Sequence, residues 1–131
     1  MTPHRLQIRV YYEDTDFSGV VYHASYLRFM ERARTEWLRA LGVDQQALHD
    51  CATPLAFVVR AMTLDFLKPA RMDDLLTVET RVTSVKGASL LLAQNVLRDT
   101  HALATADVRV AAVAGGRATR LPASLRARLR A

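Results

Sequence analysis

Cysteine is nearly absent from this chain. Cys51 stands alone, so no internal disulfide framework can hold the fold together. Lysine is almost as scarce: Lys68 and Lys86 are the only two, and arginine carries the rest of the positive charge. No apolar run is long enough to span a bilayer, and the amino terminus has no signal-like character. The expectation is therefore a cytoplasmic protein without membrane insertion. Internal repeats and low-complexity tracts are also missing. His4, His49 and His101 lack ligand-like spacing, so no metal site is expected.

What is present fits one globular domain. The 131 residues are half hydrophobic and about a quarter charged, enough to bury a core between two layers of structure. The net charge of +5 is concentrated locally, because Arg117, Arg120, Arg126, Arg128 and Arg130 all fall in the last fifteen residues. The body before them is near neutral, and charge alone does not call for a nucleic-acid partner. The chain divides on this basis into a domain over residues 1–116 and a basic tail over residues 117–131.

Periodicity supplies the element order. Leu6, Ile8, Val10 and Tyr12 alternate with polar or charged neighbours, which predicts a half-buried strand. A turn follows over Asp14–Val21. Ser25 then offers a helix cap and Gly42 a helix stop. Between them Tyr26, Met30, Ala33, Trp37 and Leu41 form an apolar stripe flanked by Leu27, Phe29 and Leu38. On the opposite side, Arg28–Glu31 and Arg32–Glu36 have the spacing of surface ion pairs. Four strand candidates follow: Leu55–Leu67, Leu75–Lys86, Ser89–Arg98 and Ala102–Ala114. Their short links predict antiparallel neighbours in a meander. One long helix on an antiparallel sheet is an α+β design, and a single helix leaves apolar sheet uncovered, which favours self-association.

The chemistry is densest at Glu13-Asp14-Thr15-Asp16, before Gly19 and the helix. A carboxylate at Asp16 can attack a carbonyl or act as general base on water, with the His23 backbone N–H holding the oxyanion. Asp16 can equally cap the turn or complement the helix dipole, and spacing alone leaves both open. His23 can serve in proton transfer or simply pack at the helix start. Arg60, Lys68 and Arg71 can meet the phosphates of a nucleotide-bearing acyl carrier, or remain solvated edge charges.

Three segments carry a family resemblance: Val10-Tyr11-Tyr12-Glu13-Asp14-Thr15-Asp16, Gly19-Val20-Val21-Tyr22-His23, and the run from Tyr26 to Leu38. With Phe57-Val58-Val59-Arg60 and Asp65-Phe66-Leu67-Lys68-Pro69-Ala70-Arg71, they resemble the Tol–Pal-associated acyl-CoA thioesterases of YbgC type. These belong to the 4-hydroxybenzoyl-CoA thioesterase group of the hotdog superfamily. The resemblance implies a hotdog fold, a five-stranded antiparallel sheet wrapped around one long central helix. It implies hydrolysis of a short-chain or aromatic acyl-CoA, with Asp16 and His23 catalytic and with Tyr12, Phe17, Gly19, Tyr22, Val58, Val59, Arg60 and Lys68 meeting substrate. It further implies a homodimer assembling into a homotetramer, and no cofactor beyond the coenzyme A of the substrate. Contact with phospholipid-synthesis or Tol–Pal-linked proteins is a further expectation. A rival reading is an acyl-CoA-binding regulator that keeps the fold without catalysis. Phe17 and Ser18 stand where the family usually has smaller residues, and Ser25 where Asn is frequent.

Overall fold

A computed structural model describes residues 2–129. Strand β1 (His4–Arg9) leads through a 3-10 turn (Tyr12–Asp14) and a tight reversal to helix α1 (His23–Ala40). A short helix α2 (Gln45–Asp50) precedes strands β2 (Ala56–Phe66), β3 (Leu75–Val85), β4 (Ser89–Arg98) and β5 (His101–Ala114). The chain ends with a two-residue strand β6 (Arg117–Ala118) and helix α3 (Ala123–Leu129). The sheet is antiparallel, in the order β1-β3-β4-β5-β2, with β6 paired to β5.

This order departs from a simple meander. The chain does run β3-β4-β5 through neighbouring strands, but β2 pairs with β5 rather than β3. The far edge of β3 is already taken by β1, where Leu6 faces Val78. The link from Leu67 to Asp74 therefore crosses the end of the sheet. It is tied down on the way, since Leu67 N–H donates to the Leu103 carbonyl at 2.8 Å and Val21 N–H to the Ala70 carbonyl at 2.8 Å. Asp74 fastens the far end, accepting from Arg71 N–H at 2.9 Å and from Arg98 Nη1 at 2.8 Å.

Helix α1 lies on this sheet by its apolar stripe. Phe29, Met30 and Ala33 are almost wholly buried against Leu76, Val78, Leu92 and Val108. Each large side chain there contributes about 1.5–3 kcal/mol of burial. The helix begins at His23, two residues before the expected Ser25 cap, and its N-cap is Tyr22. Backbone pairing explains the early start: Tyr22 N–H donates to the Asp14 carbonyl at 2.9 Å, which holds the chain extended up to the helix. Ser25 is instead fully buried, its hydroxyl accepting from Arg28 Nη2 at 3.2 Å. That bond takes Arg28 away from Glu31, and Glu36 pairs with Arg39 rather than Arg32. The helix stops at Gly42 as expected. Gly42 has φ +81°, with Gly42 N–H on the Arg39 carbonyl and Val43 N–H on the Leu38 carbonyl, a Schellman closure.

Residues of the 117–129 segment pack against this body. Leu121, Leu125 and Leu129 join the buried core, and the Arg128 guanidinium donates to the Leu41 carbonyl at the end of α1. Arg130 lies outside the described residues. No helix among the described residues is long and apolar enough to cross a membrane.

Candidate active site

The acidic run splits into residues with different tasks. Asp14 turns inward, and its carboxylate accepts from Tyr11 N–H at 2.8 Å, closing the 3-10 turn. Glu13 and Asp16 remain exposed. Among the described residues no three His, Cys, Asp or Glu side chains gather as a metal-holding group.

Asp16 opens a tight hairpin. Gly19 N–H donates to the Asp16 carbonyl at 3.1 Å, and Asp16 N–H to the Val20 carbonyl at 2.9 Å. Gly19 takes φ +84°, a conformation that strains any side chain with a Cβ, so glycine suits this corner. Val20 and Val21 then bridge back to Arg71 and Thr15. The hairpin is thus anchored to the crossover link on one side and runs directly into α1 on the other.

The Asp16 side chain makes its own bonds in the turn. Oδ1 accepts from Ser18 N–H at 2.9 Å and from Ser18 Oγ at 2.6 Å. The Ser18 hydroxyl is the main cause holding the Asp16 carboxyl below its ordinary pKa, so the group is ionised at neutral pH. No cation forms a salt bridge to it among the described residues.

Asp16, Val20, Val21, His23 and Tyr26 share a cleft of about 360 Å³ with Phe66, Leu67, Lys68 and Pro69. An aromatic cluster forms part of its wall. The His23 ring lies 4.4 Å from Tyr22 and 6.2 Å from Phe66, centroid to centroid, and Tyr26 lies 5.6 Å from Phe66. Tyr26 is pinned by accepting Ala70 N–H at 3.1 Å, and burial raises its pKa, so its hydroxyl stays neutral. His23 opens α1, whose first N–H groups have no partner within the helix. An ionised carboxylate therefore borders a cleft that also holds a helix amino terminus. This is an arrangement able to attack a carbonyl, or activate water against it, while holding the oxygen that becomes negative.

Within one chain the structure brings Asp16, His23 and Lys68 to this cleft, with Gly19 in the Asp16 hairpin and Tyr22 beside the His23 ring, and leaves Val58, Val59 and Arg60 elsewhere. Phe17 is fully exposed, Tyr12 largely so and Tyr22 partly. Val58 and Val59 line a separate cavity of about 500 Å³ between α1 and β2, with Leu27, Arg34, Trp37 and Met62. Arg60 faces another hollow beside Asp107 and Arg109. Sequence reasoning missed Phe66 and Pro69 as cleft residues, because only the crossover delivers them to α1. It also passed over Ser18 as a partner of Asp16, although Asp-x-Ser spacing is a recognisable side-chain turn.

Residues 18–105 match the family model described as the thioesterase superfamily. The acyl-CoA thioesterase YbgC of Haemophilus influenzae is 55% identical over 106 residues, covering 81% of this chain and 77% of that protein. A crystal structure described as a probable thioesterase from Bartonella henselae superposes with a TM-score of 0.89 at 45% identity, covering 92% of this chain and 99% of that one. A Thermus thermophilus thioesterase solved with coenzyme A and zinc superposes with a TM-score of 0.84 at 27% identity, covering 96% of this chain and 90% of that one.

Proposed function

Because the chain belongs to the thioesterase superfamily and to its YbgC group, we propose that it hydrolyses short-chain or aromatic acyl-CoA, with Asp16 as the reacting carboxylate. The observation that carries this reading is the shared cleft of Asp16 and the first residue of α1. The thioester carbonyl carbon lies toward Asp16 and its oxygen toward the His23 N–H. In one route Asp16 takes a proton from water, the hydroxide adds to the carbonyl, and the C–S bond breaks as coenzyme A leaves and regains a proton. In the other, Asp16 attacks the carbonyl carbon directly, the C–S bond breaks as coenzyme A leaves and takes up a proton, and water cleaves the resulting anhydride to the free acid and the Asp16 carboxylate. The His23 imidazole lines the same cleft and in this proposal assists proton transfer to the leaving sulfur.

Dimerisation completes the site in this proposal. The outer edge of β2 pairs with no strand among the described residues, and Val58, Val59 and Phe66 beside it are each 43–50% exposed. Antiparallel pairing of two β2 edges reverses one strand against the other. The stretch Val58–Arg60 of one copy then lies near Phe66 of its partner, at the Asp16 cleft. Val58 and Val59, with Tyr12, Phe17, Gly19 and Tyr22 on the turn side, form the acyl pocket between copies, and Arg60 and Lys68 meet coenzyme A phosphates. Pairing of two such dimers gives the tetramer. A cytoplasmic setting suits the exposed, unpaired Cys51.

Thiol release from short-chain, long-chain and aromatic acyl-CoAs tests the activity, since a binding protein without catalysis leaves thiol at background. Asp16→Asn is expected to lower kcat by roughly 10²–10⁴-fold. Its Tm should hold, because Asp16 is exposed and forms no salt bridge among the described residues. Retained turnover in this variant removes Asp16 from the mechanism.

A further inference from the structure

We propose that Ser18 is a positioning residue for Asp16, its N–H and hydroxyl together holding Oδ1 so that Oδ2 is the oxygen presented to substrate. The inference rests on the reading that Asp16 reacts. Two donors from one residue converge on Oδ1, at 2.9 Å from the backbone and 2.6 Å from the hydroxyl. Oδ2 has no hydrogen-bond partner among the described residues.

An exposed carboxylate otherwise rotates freely, because its terminal torsion has a broad, nearly two-fold profile. The backbone N–H alone supplies an ordinary side-chain turn that almost any residue at position 18 provides. The hydroxyl is what this residue adds. Its short bond to the same oxygen makes rotation break two contacts instead of one, and so fixes the plane of the carboxylate and the direction in which its free oxygen points. The supporting backbone is itself held, by Asp16 N–H on the Val20 carbonyl and by the bridges of Thr15 to Val21 and Val20 to Arg71. Orientation of the attacking group before reaction is the kind of contribution that raises kcat rather than substrate affinity.

The hydroxyl also stabilises the charged form of the carboxylate, in keeping with the lowered pKa of Asp16. The other titratable and charged groups around it are His23 and Tyr26 from α1, Lys68 and Arg71 from the crossover link, and Glu13 and Asp14 from the preceding turn. None of them forms an ion pair with Asp16 among the described residues, which leaves Ser18 as its principal contact.

The test compares Ser18→Ala, Ser18→Thr and Asp16→Asn in the full chain. Readouts are kcat and KM across pH, the Asp16 carboxyl ¹³C shift, and Tm. Ser18→Ala is expected to reduce kcat roughly three- to tenfold with KM little changed, as expected for losing one hydrogen bond to a charged group in partial contact with water. The Asp16 titration and the acid limb of the rate profile should both move to higher pH. Ser18→Thr, which keeps a hydroxyl, should restore both. If the Ser18→Ala titration coincides with the parent's, or if threonine behaves as alanine, the role of Ser18 is overturned while Asp16 keeps its own. If Asp16→Asn retains turnover, the reading beneath the inference fails instead.

Discussion

Replacing Gln94 by methionine tests how α1 is registered on the sheet. Gln94 is fully buried under the helix. Its Nε2 donates to the Met30 carbonyl of α1 at 3.0 Å and to Thr80 Oγ1 of β3 at 2.9 Å, while Oε1 accepts from Arg34 Nη1 of α1 at 2.9 Å. Methionine has nearly the same length and fills the same space, so no cavity opens. What it strands is polar: the buried Thr80 hydroxyl and the half-buried Arg34 guanidinium. Burial already holds Arg34 below its usual pKa, with Glu31 acting the other way. A stranded neutral group costs about 1–3 kcal/mol, and a lost bond to a charged group about 1.5–3 kcal/mol. Arg34 reaches water at one side, and methionine recovers some apolar burial, so the net loss is about 2–4 kcal/mol. For a domain of this size that corresponds to a fall in Tm of roughly 6–20 °C.

The assay is urea and thermal unfolding of Gln94→Met, Thr80→Val and the double variant. Because the double variant removes both members of one bond, it should recover roughly 1–2 kcal/mol of the loss. A Gln94→Met protein within about 0.5 kcal/mol of the parent, or a double variant whose two losses simply add, would refute the reasoning.

Two further outcomes are expected. Gly42→Ala should lose about 1–3 kcal/mol in denaturant unfolding, from the positive φ and from the new Cβ, which meets Arg128 Nη1 at 2.7 Å. Asparagine at Gly42 should be milder, since it tolerates this backbone region. Asp74→Asn should destabilise the protein at neutral pH, with the difference closing in acid. Burial raises the Asp74 pKa, but the Arg71 N–H and the Arg98 guanidinium outweigh it and hold the carboxyl below its ordinary value. Its contribution is therefore complete above about pH 4 and is lost as pH falls through the lower folded-state value, which Tm measured against pH will follow.

Local periodicity carried much of the fold. The alternation Leu6-Ile8-Val10 and the stripe through Tyr26, Met30 and Ala33 depend on which face of one element is apolar, and the chain states that directly. The stop at Gly42 is equally local, set by one residue able to take a positive φ. The helix start was less legible, because the chain before α1 is held extended by Tyr22 N–H on the Asp14 carbonyl and Val21 N–H on the Ala70 carbonyl of the crossover link, and the second of these partners is remote in sequence. The place of β2 was hidden for the same reason. A link short enough for a hairpin instead crosses the sheet end, since β1 had already filled the edge of β3.

The candidate site divides along the same line. The chain alone put a carboxylate, a glycine corner and a helix start within a few residues, because those groups are neighbours along the backbone. Only tertiary structure decided that Phe66, Lys68 and Pro69 close the cleft around them, that Val58 to Arg60 lie outside it in a single copy, and that the carboxyl-terminal arginine segment packs on the domain. Those outcomes depend on which edges and apolar faces remain open after the first layer has packed, a competition among distant segments that spacing along the chain does not encode.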